Sequence, residues 1–207
     1  PFPTRRSSDL VGSMKTPAKD DRVYTNSNGF VIRGTAGGHV GFDIDVRDSK
    51  EWGSREYPPI TATTMPGRGF VAFKGDHAEF DETRASVTWS GGPFILTYGR
   101  GVNVWGRGKQ GTLALSGYAS PYDIMKLETE FWRLRYTFIA AELEQYPPIA
   151  QFYYHNPAGV YSDSVTVAKR MSAHRIETDI TDRLTIGLPE TVIYGGRWDL
   201  SYLNPVM

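Results

Sequence analysis

Apolar and polar residues alternate with a period of two along most of the chain. Phe30 and Ile32 alternate with Val31 and Arg33, and Val40, Phe42, Ile44 and Val46 alternate with Gly41, Asp43, Asp45 and Arg47. A period of two puts successive side chains on opposite faces of an extended strand. The pattern returns with Ala85, Val87 and Trp89 against Arg84, Ser86 and Thr88, then with the row Phe94, Leu96 and Tyr98. Met125, Leu127 and Thr129 alternate with Lys126 and Glu128. After a reversal near Glu130 and Phe131, Trp132, Leu134, Tyr136 and Phe138 alternate with Arg133, Arg135 and Thr137. Ile176, Thr178 and Ile180 oppose Arg175, Glu177 and Asp179, and Thr181-Asp182 turns into Leu184, Ile186 and Leu188. Residues 191–207 give one more short strand and a final turn.

Gly37-Gly38 and Ser90-Gly91-Gly92-Pro93 have the composition of tight hairpin turns. Longer excursions carry Tyr57-Pro58-Pro59, Met65-Pro66-Gly67, the Gly-rich stretch 99–121, and Tyr146-Pro147-Pro148 with Asn156-Pro157-Ala158-Gly159. Phe70 to Phe73 is an apolar patch with the pattern of either a strand or a helical turn. The expectation is an all-β chain of roughly eight to ten antiparallel strands, each about eight to eleven residues long. A short turn follows one strand and a long loop the next, and no segment has the period of an amphipathic helix.

One face of each predicted strand is apolar and the other charged. In a soluble sandwich the apolar face is the core and the charged face is wet. In an outer-membrane barrel the apolar face meets lipid and the charged face lines the lumen. Period alone leaves both open. Trp89, Tyr98 and Trp132 stand near strand ends, where an aromatic girdle would lie. Lys126 and Glu128 precede Arg133 and Arg135 across one tight turn, which places opposite charges on neighbouring strands. Both features favour the up-and-down outer-membrane barrel.

Composition narrows the classes further. The 23 basic residues balance the 23 acidic ones, so the chain has no electrostatic footprint for nucleic acid. Cysteine is absent, which excludes disulfides, thiolate metal sites and a cysteine nucleophile. No apolar run is long enough for a transmembrane helix, a criterion that does not touch transmembrane strands. Among 207 residues, 22 glycines and 13% aromatics fit a β-rich chain with many tight turns.

The two ends look artificial. Thr4 to Leu10 reads as a translation of ACACGACGCTCTTCCGATCT, which resembles a common sequencing adapter, so residues 1–10 are set apart as a library scar. Residues 11–28 are polar and expected to be irregular, and the barrel portion is expected over 29–207. The chain stops at Tyr202-Leu203-Asn204-Pro205-Val206-Met207 without a polar tail, which suggests truncation there too.

Three ordered blocks resemble the capsule-assembly Wzi family. The first is Ser90-Gly91-Gly92-Pro93-Phe94-Ile95-Leu96-Thr97-Tyr98-Gly99-Arg100, running into Val104-Trp105-Gly106-Arg107-Gly108 and Thr112-Leu113-Ala114-Leu115-Ser116. The second is Ser172-Ala173-His174-Arg175-Ile176-Glu177, followed by Leu184-Thr185-Ile186-Gly187-Leu188. The third is Val192-Ile193-Tyr194-Gly195-Gly196-Arg197, then Tyr202-Leu203-Asn204-Pro205. The resemblance implies a non-enzymatic, lectin-like barrel of the bacterial outer membrane that holds capsular polysaccharide at the cell surface. It implies about eighteen strands in a complete, monomeric barrel, of which this chain would supply roughly half. Outer-membrane lipid and capsular polysaccharide are then the partners, and no cofactor is required. A general porin or uptake barrel, and a soluble β-sandwich lectin or glycosidase, are the alternatives.

Candidate chemistry follows from residue types. Arg100, Trp105, Arg107, Arg175 and Arg197 are candidates for polysaccharide binding. An indole stacks on a sugar's C–H face, and a guanidinium forks onto hydroxyls or uronate carboxylates. The competing reading of Trp105 is a structural turn packed on the wall. Arg84, Lys126, Glu128, Arg133, Arg135, Glu177 and Asp179 are expected to line the lumen, either setting selectivity or only holding its shape. Glu128, Glu177 and Asp179 would suit a glycosidase if two stood about 5–9.5 Å apart. The four histidines, His39, His77, His155 and His174, lack metal-ligand spacing. Ser116 lacks a nucleophile elbow, and Gly99-Arg100-Gly101 is not a nucleotide fingerprint.

Overall fold

A computed structural model describes residues 5–11, 22–65, 67–106, 112, 114–143, 151–156, 159–164 and 168–204. The described residues are mostly strand. The long strands are β1 (Arg5–Val11), β2 (Val23–Ala36), β3 (Val40–Gly53), β6 (His77–Gly91), β7 (Phe94–Gly101), β8 (Tyr122–Phe131), β9 (Leu134–Leu143), β12 (Lys169–Thr181) and β13 (Leu184–Gly195). Two short hairpins, β4 (Thr61–Met65) with β5 (Gly69–Phe73) and β10 (Gln151–Asn156) with β11 (Gly159–Ser164), lie within the long connections. A 3-10 turn, Leu200–Leu203, is the one helical element among the described residues.

The sheet is an antiparallel meander of 11 strands in the order β1-β2-β3-β6-β7-β8-β9-β12-β13, with β5 on β6 and β4 on β5. β1 and β13 end this path and β4 ends its branch, so the sheet is open among the described residues. Four tight turns, after β2, β6, β8 and β12, all lie at one end. The connections 54–76, 102–121 and 144–168 leave from the other. The short–long alternation read from the sequence is therefore the alternation of the two ends of one sheet.

Turn chemistry explains the sharp end. Gly37 and Gly38 take φ of 60° and 71°, which a β-carbon resists. The reversal between β8 and β9 falls on Trp132 and Arg133, one or two residues beyond the position expected. Trp132 is held at φ 58°, a strained setting for a bulky residue. The last turn has no positive φ, and the register shifts between Asp179 and Thr181 instead. Such a bulge restores the twist that an ordinary turn spoils. Inside β7, a β-carbon on Gly99 would stand 2.1 Å from the Ala85 carbonyl oxygen, so the Tyr98-Gly99-Arg100 motif needs its glycine for strand approach.

The strands are staggered in one direction. One row of paired residues runs Val40, Trp89, Leu96, Leu127, Phe138, His174, Glu190. Val40 starts its strand directly after a tight turn. Trp89 and Leu96 lie two residues from their turn's ends at Gly91 and Phe94. Leu127 and Phe138 lie four residues from Phe131 and Leu134, and Glu190 lies six from Leu184. The turns thus recede by two residues per hairpin, or one per strand. At ~3.3 Å per residue and ~4.8 Å between strands, the line of turns is inclined by roughly 35° from the perpendicular to the strands.

One face carries an apolar belt that follows this inclined line. Phe30, Phe42, Val87, Trp89, Phe94, Leu96, Met125, Leu127, Leu134, Ile176 and Ile186 share it, as the register requires. Tyr98 and Leu188, in the same belt, are 71% and 72% exposed. No second sheet covers the belt among the described residues. The opposite face carries the charges. Among the described residues its dry parts are two small clusters near the long connections. One joins Trp105 and Leu115 to Tyr122, Ile124, Ile139, Ala141, Met171 and Ala173. The other joins Val71, Phe73 and Ala78, with Tyr57, Met65 and Phe80 packed alongside.

Three expectations need correction. β2 begins at Val23, not near residue 29, because Asn26 and Asn28 pair with Lys50 and Asp48 through backbone bonds that need no apolar period. Residues 5–11 lie against the β2 edge, pairing from Arg5 with Val31 to Val11 with Thr25. Thr191 to Gly195 do not start a new strand but continue β13 through Pro189, which an edge strand tolerates.

Candidate functional site

The charged face is a network of ion pairs built largely from residues two apart on one strand, whose side chains lie side by side. Asp45 receives Arg47 at 2.9 and 3.2 Å, Arg84 meets Glu82 at 2.6 Å, and Lys126 meets Glu128 at 2.8 Å. Arg135 links three strands, reaching Glu130 on β8 at 3.4 Å and Glu177 on β12 at 3.8 Å, each directly opposite in register. Glu177 also takes Arg175 at 2.6 Å, and Asp179 accepts the Thr185 hydroxyl at 2.6 Å. Arg84, Lys126, Glu128, Arg135, Glu177 and Asp179 therefore share one face as the alternation implied. The pairing expected across the turn is different in detail, because Lys126 and Glu128 pair with each other. Arg133 leaves this face altogether. It occupies the tight turn, donating to the Ile180 carbonyl at 3.5 Å and lying over the Trp132 ring at 5.8 Å.

The connection 102–121 folds onto this charged face. Trp105 donates its backbone N–H to the Leu115 carbonyl at 2.9 Å, and its indole is only 8% exposed. Arg175 lies over the ring at 5.8 Å. An indole so enclosed is not an open stacking platform, and the structural reading of Trp105 prevails. The burial comes from long-range contact with β8, β9 and β12. Arg100 is on the opposite face, bonded to Asp123 at 3.3 Å, so it does not converge with Trp105 or Arg175. Arg107 lies outside the described residues.

Connection 54–76 folds over the same face. Glu51, 1% exposed, is ion-paired with Arg68 and lies 3.7 Å from Arg55. Arg68 also stacks on Phe80 at 4.9 Å. Burial, with Glu51 close by, pushes the Tyr57 phenol above its ordinary range. Neither Glu51 nor this cluster was singled out from the sequence. A carboxylate in an alternating row gives no signal of its burial until the connection closes over it.

Arg197 marks a separate place. Residues 196–204 turn back over the apolar-belt side of β12 and β13, beyond the belt. His174, 4% exposed, fastens them: its Nε2 meets the Tyr202 carbonyl at 3.1 Å, and its Nδ1 meets the Tyr136 hydroxyl at 2.8 Å. Since a carbonyl only accepts, Nε2 carries the proton and Tyr136 donates to Nδ1. Tyr194 and Tyr202 stack at 4.4 Å, and Arg170 lies over Trp198 at 4.9 Å. Asp199 accepts the Ser201 hydroxyl at 2.7 Å and its backbone N–H at 2.9 Å, which hold its carboxyl below the ordinary range. An open groove of about 620 Å³ results, lined by Tyr194, Arg197, Trp198, Asp199 and Tyr202. Of the predicted binding residues among the described ones, Arg197 alone lines it. Tyr194, Trp198 and Tyr202 were not singled out from the sequence, although three aromatics within nine residues around Arg197 are the signal that could have pointed here.

Among the described residues, no group of three or more His, Asp or Glu side chains is placed to hold a metal ion. Comparison with protein-family models, curated proteins and solved structures finds no match to this chain. The likeness to the capsule-assembly family therefore rests on its three sequence blocks.

Proposed function

We propose that the chain is part of the wall of a bacterial outer-membrane β-barrel that holds capsular polysaccharide at the cell surface without covalent chemistry. The observation that carries this reading is the uncovered apolar belt, which runs along an inclined line of turns with an ion-paired face behind it. A sheet whose strands shift by one residue each has the tilt that closed membrane barrels need, about 35–45°. On β3 the belt spans Val40 to Val46, about 20 Å at ~3.3 Å per residue. Phe131 and Trp132 stand exposed at the turn end, where an interfacial girdle belongs.

Anchoring is favoured over a general porin by the two connections folded onto the charged face. They fill the side that an open channel would keep wet. A soluble sandwich is disfavoured because the belt has no opposing sheet among the described residues. The three family blocks supply the polysaccharide and the absence of catalysis.

The test has two arms. The complete barrel that carries this chain, expressed for export in an encapsulated host lacking its own anchor, should fractionate with outer membranes, need detergent for extraction, and restore capsule retention. A monomer soluble without detergent would overturn the membrane reading. Ion conductance in planar bilayers with unrestored retention would favour the porin.

A further inference from the structure

We infer that the groove between β13 and the 3-10 turn binds an acidic saccharide, with the Trp198 indole as stacking surface and Arg197 as carboxylate partner. This rests on the polysaccharide reading above and gives it a place and a ligand class. Trp198 is 46% exposed, so its ring remains reachable although Arg170 lies 4.9 Å from its centre. Arg197 is exposed and has no ion-pair partner among the described residues. Asp199, the one carboxylate in the lining, is committed to Ser201. Asp199 keeps its negative charge, held by Ser201, and Arg197 is the cation of the lining left for a ligand carboxylate.

Aromatic planes beside donors and a free guanidinium recognise a pyranose carrying a carboxylate. A volume of about 620 Å³ is of the size that takes a small-molecule ligand. The groove lies beyond the belt on the side of the long connections, clear of the lipid the belt would meet.

Isothermal titration calorimetry on the detergent-solubilised chain, with tetragalacturonate and the neutral galactotetraose, tests this. The uronate should bind at least roughly tenfold more tightly than the neutral sugar, and Arg197→Gln should abolish that preference. Trp198→Ala should remove binding of both, and Trp198→Phe should keep part of it. Circular dichroism unchanged from the parent chain checks folding of each variant. The inference is overturned if both variants bind as the parent does, if the two sugars bind equally, or if the parent binds neither. Should these variants still retain capsule on cells as the parent does, the groove falls while the anchoring function stands. Should the parent itself fail to retain capsule, the anchoring function falls.

Discussion

The Arg175 guanidinium lies 5.8 Å from the centre of the Trp105 ring, closing over an indole in the buried cluster that includes Leu115, Ile139, Met171 and Ala173. That relationship makes Trp105 a wall-packing residue. Trp105→Ala should lower unfolding stability by about 3–5 kcal/mol, as loss of a buried aromatic does. Denaturant titration in detergent checks this. Any loss of capsule retention should track the loss of folded protein. A stable variant with lost retention would restore Trp105 as a sugar platform.

Glu51 and Arg68 form the second long-range clamp. Arg68→Met would leave a carboxylate that is 1% exposed with only Arg55 at 3.7 Å. Stranding a buried charge costs about 3–5 kcal/mol. The double variant Glu51→Leu with Arg68→Met should recover most of that loss, because apolar replacement of a buried pair is often neutral. The two unfolding midpoints, compared with that of the parent chain, decide it. Equal losses in the single and double variants would show that the clamp is not a coupled pair.

What could be read from the sequence was what local alternation determines. β3 was legible because Val40, Phe42, Ile44 and Val46 all face the same way and Asp43, Asp45 and Arg47 face the other. The first half of β2 was not, because Ser27 bonds Ser49 at 2.9 Å and the strand is polar on both faces there. Residues from 191 on read as a separate short strand, whereas Thr191 to Gly195 continue β13 through Pro189, which an edge strand tolerates. The charged residues were legible as a face, but Arg133 depended on where the turn fell by a residue or two. Trp105 and Glu51 owe their burial to connections that return from far along the chain, which no local pattern records.

The pairing of residues 5–11 with β2 gives a further check. An exposed edge catches a neighbouring segment through backbone bonds whatever its side chains. Deleting residues 1–11 should therefore leave the denaturant midpoint within experimental error and the β2–β3 register intact. Amide hydrogen exchange across Val23 to Ala36 reads the register. Loss of protection throughout β3 would show that β1 is integral to the sheet.

Asp199 gives a pH-dependent prediction. Its folded-state pKa is lowered, chiefly by the Ser201 hydroxyl and then by the Ser201 N–H. A lowered carboxyl stabilises above its unfolded pKa of about 3.9, and that stabilisation is lost as pH falls through the depressed value. The 3-10 turn should thus persist below the ordinary carboxylate range and loosen only in stronger acid. Ser201→Ala should move the Asp199 titration upward, seen by carboxyl-carbon NMR. An unmoved titration would refute the hydroxyl's role.

Leu96 and Ile95 offer the sharpest test of the belt. They are adjacent on β7, similarly exposed at 42% and 40%, and on opposite faces. Leu96 pairs with Leu127 in the belt, whereas Ile95 pairs with Glu128 on the charged face. In water their exposure would make arginine nearly equally tolerable at either position. Against lipid it would not. Leu96→Arg should cost about 2–4 kcal/mol near the bilayer midplane. Ile95→Arg gains a carboxylate opposite, a pair worth at most about 1 kcal/mol at such exposure, and should be close to neutral. Folding into vesicles, followed by the mobility shift between folded and unfolded barrel on unheated gels, measures both. Equal tolerance at the two positions would place the belt in water and remove the membrane from the account.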